Sequence, residues 1–205
     1  MKYLLEKTKV LREESMPLFD HFSILAPLYD VAIPLGDLKA FIQRAALPTG
    51  GWLLDVGGGT GRVAYALRRQ ASHLVVADVA WGMLQQAAAK GGLHVVNGAA
   101  EVLPFPSHTF ERAVMVDALH HVADQALAVR ELWRVLKPGG RIVIEEPDVR
   151  TLIVKLVALG EKLALMRSHF LAPPRIVSLF PPGYAQARIE TERYNAWVIV
   201  EKPAG

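Results

Sequence analysis

The sequence contains no cysteine among its 205 residues. This absence excludes disulfide bonds, zinc sites built on thiolates and cysteine nucleophiles. The sequence also lacks a large excess of charge of one sign, because 23 basic and 20 acidic residues are interspersed along the chain and leave a net charge of only +3. Such a small surplus does not require nucleic acid as a partner.

Long uninterrupted hydrophobic runs are missing as well. Residues 1–9 have no continuous apolar stretch, so we expect no signal peptide. Four charged residues interrupt the apolar segment 151–172, which argues against a membrane span: Lys155, Glu161, Lys162 and Arg167. With 52% hydrophobic and 21% charged residues, the chain is expected to form a single compact domain over 1–205, located in the cytoplasm.

Glycine is concentrated in one turn. Residues 53–61 read Leu-Leu-Asp-Val-Gly-Gly-Gly-Thr-Gly, between an apolar strand and a helical pattern. Each glycine costs folding entropy, so an ordinary strand–helix turn rarely contains four, whereas a ligand-binding turn uses them to expose bare backbone. No Lys-Ser/Thr pair follows, which excludes a P-loop. In the dinucleotide pattern G-x-G-x-x-G/A the third small residue would fall on Arg62, which weakens a nicotinamide dehydrogenase interpretation.

Strand and helix patterns alternate from Pro48 onwards. Apolar strands are predicted near 52–56, 73–78, 93–97, 112–117 and 141–146, with helices near 60–70, 80–90 and 124–136. Strands that are apolar throughout and are separated by helices indicate a parallel sheet covered on both faces. Two final strands, 184–191 and 194–201, read as an antiparallel hairpin. The predicted fold is therefore α/β, with a doubly wound, mostly parallel seven-stranded sheet that ends in this hairpin.

Four motifs carry a resemblance to a known family. Residues 55–61, Asp-x-Gly-x-Gly-x-Gly, resemble motif I of class I S-adenosylmethionine (SAM) methyltransferases. Residues 97–106, 117–122 and 132–141 resemble the G-D-A-E-x-L-P-F, A-L-H-H-V and L-x-R-V-L-K-P-G-G segments of the ubiquinone/menaquinone C-methyltransferase type. Residues 19–30 are similar to that family's N-terminal F-D-x-x-A-x-x-Y-D segment. The last 55 residues resemble the family only in architecture.

The resemblance implies a Rossmann-like domain that uses SAM as cofactor and releases S-adenosylhomocysteine. It has an N-terminal helical segment over 1–47 and a segment over 151–183 that covers the substrate. The implied cofactor-binding residues are Tyr29, Asp55, Gly57, Gly58, Gly59, Asp78, Val79, Met83, Ala100, Glu101 and Asp117. The cofactor carries an ammonium, a carboxylate and a sulfonium, so an acidic residue at a strand end suits its cationic part and turn amides suit its carboxylate.

Two of these positions leave alternatives open. Asp78 lies 21 positions after Gly57 and can accept hydrogen bonds from both ribose hydroxyls, but a strand-end aspartate can also cap the next helix. The aspartate that borders adenine in the family aligns with Ala99 here, so Glu101 or a backbone carbonyl is expected to replace that contact.

The catalytic candidate is His121, with Tyr29 and Glu145 as further candidates by position. His120 and His121 are adjacent and would point ~100° apart on a helix, so they cannot readily bind one metal ion. Since no H-E-x-x-H motif is present, no metal site is expected.

The leading interpretation is methyl transfer to a small, apolar or aromatic acceptor. The segment 151–172 has more apolar residues than one surface stripe needs, which suggests a lid, although burial under the N-terminal helices or in a homodimer explains it equally well: Leu152, Val157, Leu165, Met166 and Phe170. Methylation of nucleic-acid bases is disfavoured, because no Pro-Pro-Tyr/Phe follows Asp117. A SAM-binding subunit without catalysis remains an alternative, since fold does not establish chemistry.

Overall fold

The computed structural model describes residues 37–152, 154–155, 168–182 and 186–204. The strands are β1 (Thr49–Val56), β2 (Ala71–Asp78), β3 (His94–Asn97), β4 (Phe110–Val116), β5 (Leu136–Pro147), β6 (Gln186–Glu192) and β7 (Asn195–Glu201). The α-helices are α1 (Leu38–Arg44), α2 (Arg62–Leu67), α3 (Trp81–Ala89), α4 (Gln125–Val135) and α5 (Pro173–Val177), and a 3₁₀ turn spans Leu119–His121.

The seven strands form one sheet in the order β3-β2-β1-β4-β5-β7-β6. Strands β1 to β5 pair in parallel, and β7 inserts between β5 and β6 and runs antiparallel to both. The predicted fold class, including the C-terminal hairpin, is confirmed. The chain order reverses between β1 and β4, and ligands of such sheets bind in the crevice at the carboxyl ends of the strands beside this reversal.

Both faces of the sheet are covered, as the apolar strands require. On one face, α1, α2 and α3 pack through residues such as Phe41, Leu67 and Leu84. On the other face, α4 and α5 pack through residues such as Leu132 and Ile176. The central strands are therefore buried from both sides, and their carboxyl ends are held in fixed positions.

The start of β5 differs from the sequence expectation. The sequence predicts a strand from about residue 141, whereas α4 ends at Val135 and the strand begins at Leu136. The helix ends there because the Lys202 ammonium satisfies the carbonyls of Trp133 and Leu136, at 2.7 and 2.8 Å. The Pro-Gly-Gly stretch is thus the irregular beginning of a strand.

Two predicted segments fall largely outside the description. Residues 1–36 of the N-terminal segment and residues 153, 156–167 and 183 of the covering segment are not among the described residues. Within the described ranges, no helix is both long and apolar enough to cross a membrane.

Candidate cofactor and active site

The glycine turn follows β1 at the reversal point of the sheet. Gly57, with φ of +67°, is packed so closely on the loop after β4 that an added Cβ would lie 2.5 Å from the Ala118 Cβ. A Cβ on Gly58 would lie 2.7 Å from the Cγ atom of Asp55. Only glycine fits these two positions, because any side chain would collide with the crevice wall.

Asp55 is a buried carboxylate at the end of β1. It is only 1% exposed, and neither of its oxygens accepts a hydrogen bond of good geometry from the described residues. Burial raises its pKa to about 7, although the Arg62 guanidinium and a weak contact from the Ala64 backbone amide act in the opposite direction. A buried acid with such weak partners is costly for folding. Its position directly under the glycine turn therefore indicates a ligand-binding role.

Asp78, at the end of β2, joins the turn to the next helix. Its Oδ2 atom accepts a hydrogen bond from the Gly59 amide and its Oδ1 atom accepts one from the Ala80 amide, both at 2.8 Å. The capping role considered from the sequence is thus present. The Asn97 side chain donates to the Asp78 and Val79 carbonyls and fixes this corner.

Asp117 follows β4 in a left-handed conformation, with φ of +51°. Burial raises its pKa, and the Glu146 carboxylate raises it further. Its Oδ2 atom lies 3.8 Å from the Nη2 atom of Arg62, the first residue of α2. Asp55 and Asp117 therefore share the electrostatic influence of one guanidinium.

The remaining cofactor candidates have different surroundings. Val79 is 61% exposed, whereas Met83 and Ala100 are buried. The Oε1 atom of Glu101 accepts a hydrogen bond from the Asp124 amide at 3.3 Å. Tyr29 lies outside the described residues.

The two histidines have separate environments. The Nδ1 atom of His120 lies 2.6 Å from Glu146 Oε2, and both side chains are 5% exposed. His121 lies with its Nδ1 atom 3.2 Å from the Ser168 hydroxyl. Burial lowers the pKa of His121 to about 3, so its imidazole is neutral and a weak base at neutral pH.

Glu145 lines a half-open cavity between the end of β5 and the β6–β7 hairpin. Burial and the nearby Asp117 charge together raise its pKa to about 7. Its Oε1 atom accepts a hydrogen bond from Asn195 Nδ2 at 2.6 Å. The other residues that line this cavity are Asp37, Glu192, Arg193, Tyr194, Asn195 and Trp197.

The sequence did not single out Arg62, Glu146 or Asn195 as members of the site. The sequence marked Arg62 only as a departure from the dinucleotide pattern, although its positive charge lowers the pKa values of three crevice acids, Asp55, Asp117 and Glu145. Asn195 comes from β7, some 50 residues after Glu145, so no local pattern could pair them.

The crevice combines three buried or half-buried acids, Asp55, Asp117 and Glu145, whose pKa values are all raised. A ligand that carries positive charge would stabilise the ionised forms of these acids. No three histidine, aspartate or glutamate side chains in the described ranges are arranged to hold a metal ion.

Comparison with known proteins identifies the same methyltransferase family that the sequence motifs resemble. Residues 54–144 match the family model described as a methyltransferase domain. The chain is similar to the ubiquinone/menaquinone biosynthesis C-methyltransferase UbiE of Escherichia coli, at 32% identity in an alignment of length 158 that covers 67% of this chain and 62% of that protein. The chain thus spans less than two thirds of the length of this curated relative.

Solved structures share the fold. A putative methyltransferase from Bacillus halodurans matches with a TM-score of 0.71 and 19% identity, over 82% of this chain and 99% of that one. The [4+2]-cyclase SpnF matches with a TM-score of 0.75 and 17% identity, over 95% of this chain and 97% of that one. At these identities the likeness concerns the fold alone.

Proposed function

Because this chain carries a methyltransferase domain related to the ubiquinone/menaquinone C-methyltransferases, we propose that it transfers a methyl group from SAM to a small-molecule acceptor. The observation that carries the proposal is the buried Asp55 carboxylate, which accepts no hydrogen bond of good geometry from the described residues and lies under a turn that only glycine can form. A cationic ligand would supply the stronger partner that this carboxylate lacks.

The residues at the carboxyl ends of the strands fit the parts of SAM. The Asp55 and Asp117 carboxylates suit the cationic amino-acid end, and the turn at 57–59 offers close approach to backbone. Asp78, at the end of β2, is proposed to accept from the ribose hydroxyls, and the exposed Val79 side chain offers an apolar surface for adenine. Glu101, which accepts one hydrogen bond from the Asp124 amide, is proposed to replace the acid that Ala99 lacks.

When bound, SAM supplies a methyl group on a sulfonium, which is already activated toward attack. What the protein must add is alignment, exclusion of water and, for an acceptor that loses a proton, a base. We propose Glu145 as this base. Its pKa of about 7 matches neutral pH, and its carboxylate borders the cavity, whereas His121, with a pKa of about 3, is a poor base.

The acceptor is proposed to be apolar or aromatic, with one group that can release a proton. Trp197 and Tyr194 supply aromatic surface beside Glu145 in the cavity. Arg44 stacks 4.2 Å above the Trp197 ring and also binds Glu190, which fixes this wall. The apolar sequence of 151–172 supports the same acceptor class. A cytoplasmic location and a homodimer stay predictions from the sequence.

A fold shared with a cyclase makes a chemical test essential. Transfer of label from methyl-labelled SAM should be measured over a panel of matched phenolic or quinol-like acceptors and small charged amines. We expect turnover on the aromatic members. SAM binding without transfer to any member would favour the alternative of a non-catalytic subunit, and transfer confined to the amines would overturn the acceptor class.

Glu145→Gln tests the base. The turnover rate should fall about 100-fold while SAM affinity changes little, because the amide cannot accept the proton. The wild-type rate should rise with pH through about 7, and the variant should lose this limb. Glu201→Gln is the control, since Glu201 pairs with Arg141 at the other end of β5. A wild-type pH profile in Glu145→Gln would exclude this residue as the base.

A further inference from the structure

Glu146 lies next to the proposed base but points to a different group of residues. It is 4% exposed, and its Oε1 atom accepts hydrogen bonds from the Ala118 and Leu119 amides at 3.0 and 2.7 Å. Its Oε2 atom contacts Nδ1 of His120 at 2.6 Å. One carboxylate thus holds three consecutive residues of the loop after β4, and both of its oxygens are occupied.

This loop touches the cofactor turn on one side. Ala118 lies against Gly57 so closely that no side chain fits between them. Asp117, immediately before it, has a left-handed backbone that is unfavourable for a residue other than glycine. The two amide hydrogen bonds to Glu146 hold the chain in this conformation.

The same loop holds the end of the segment proposed to cover the acceptor. The His120 ring stacks on the Phe170 ring at 4.4 Å with an interplanar angle of 13°. The His169 amide donates to the His120 carbonyl at 2.7 Å, and Gln125 Nε2 bridges the Leu119 and His169 carbonyls. Residues 168–170 therefore depend on the position of His120, which in turn depends on Glu146.

We propose that Glu146 and His120 form a positioning pair that couples the cofactor turn to the acceptor-covering segment. The pair itself contacts neither the methyl donor nor the acceptor. It fixes the loop 117–121 so that Gly57 on one side and Phe170 on the other keep their relative places. This inference rests on the proposed function for its purpose, but the physical coupling does not depend on any ligand.

The test compares Glu146→Ala with Glu146→Gln. Gln can still accept from the two amides through its oxygen and donate to His120 Nδ1 through its nitrogen, so it should preserve the coupling. Hydrogen exchange of the ligand-free protein should be about tenfold faster in Glu146→Ala at residues 57–61, 117–121 and 168–170. The affinity for S-adenosylhomocysteine should fall by about the same factor, and Glu146→Gln should restore most of both.

Val200→Ala is the stability control, because it removes buried volume from β7 near the other end of β5. It should lower the unfolding temperature without selective exchange at the three segments. If Glu146→Ala does not fold, Phe170→Ala provides the test. Phe170 is half-buried and stacks on His120, so loss of the Phe170 ring should accelerate exchange at 118–121.

Unchanged exchange at 57–61 and 168–170 in Glu146→Ala, or at 118–121 in Phe170→Ala, would overturn the coupling. Equal damage from Ala and Gln would also overturn it, because a coupling through hydrogen bonds predicts rescue. Since exchange is measured without ligand, a wild-type protein that binds no S-adenosylhomocysteine would overturn the proposed function alone.

Discussion

Carboxylates at the two ends of the sheet have pKa values shifted in opposite directions. At the amino ends, the Glu111 carboxylate receives the Lys137 ammonium and the Trp52 amide, each at 2.5 Å. Burial alone would raise the pKa of Glu111, but these hydrogen bonds prevail and lower it. At the carboxyl ends, burial prevails, and the pKa values of Asp55 and Glu145 reach about 7.

The difference shows where the fold is complete by itself. A carboxylate with partners contributes to stability or leaves it unchanged, whereas a buried carboxylate without them opposes folding. The amino ends therefore resemble an ordinary protein surface. At the carboxyl ends, Asp55 and Glu145 keep raised pKa values although Ala64 and Asn195 donate to them, which is the pattern expected of a binding site.

Of the substitutions considered, Asp55→Asn should change the properties of the carboxyl ends most strongly. Between its unfolded pKa near 4 and its folded pKa of about 7, Asp55 is protonated only in the folded state, so its contribution to stability is lost as pH rises through this window. The amide has no such penalty, so the variant should be more stable than wild type at pH 8 by on the order of 3 kcal/mol, with little difference at pH 4.

The same variant should bind SAM about 100-fold more weakly, because it removes a buried negative charge. Chemical denaturation at both pH values and calorimetry with SAM measure the two effects. Glu111→Gln serves as control, since a half-exposed ion pair contributes about 0 to 1 kcal/mol and lies away from the crevice. Equal SAM affinity in Asp55→Asn and wild type would remove Asp55 from the site.

Gly57→Ala tests whether the close backbone packing of the glycine turn is required for stability. The new methyl group would lie 2.5 Å from Ala118 and would also require a positive φ. We expect a loss of about 2–4 kcal/mol in unfolding free energy. Gly91→Ala has a similar φ of +72° but nothing within 4 Å, so it should lose only about 1–2 kcal/mol. Equal losses would show that Ala118 moves away freely.

Asp78→Ala should have the smallest effect of the three on stability. It removes acceptors for the Gly59 and Ala80 amides, so stability should fall by about 1 kcal/mol. Loss of the ribose contacts should weaken SAM binding by about 1.5–3 kcal/mol in addition. Thermal unfolding and SAM titration separate these two numbers. An unchanged SAM affinity in the folded variant would leave Asp78 as a cap alone.

Local patterns were sufficient for the fold and for the placement of the glycine turn. Continuous apolar strands, glycines and helix spacing are short-range signals, and all seven strands and three of the helices were expected close to where they lie. The start of β5 was misjudged because Lys202, which satisfies the end of α4, is about 66 residues from Leu136 in sequence.

The electrostatics of the site could not be predicted in the same way. The pKa of Asp55 depends on complete burial, and the environment of Glu145 depends on Asn195 from the last strand. Similarly, His120 and His121 look equivalent in sequence, yet one pairs with Glu146 and the other lies near Ser168. These properties arise only when distant strands come together.

The most direct test of the account is proton release on SAM binding near neutral pH. Asp55 is partly protonated at pH 7, and a cationic ligand should lower its pKa. Calorimetry at pH 6 to 7.5, in two buffers of different ionisation enthalpy, should show proton release and an affinity that rises with pH. Asp55→Asn should release fewer protons. Identical heats in both buffers, with an affinity that is flat or falls as pH rises, would contradict the claim that this crevice binds SAM through the buried Asp55 carboxylate.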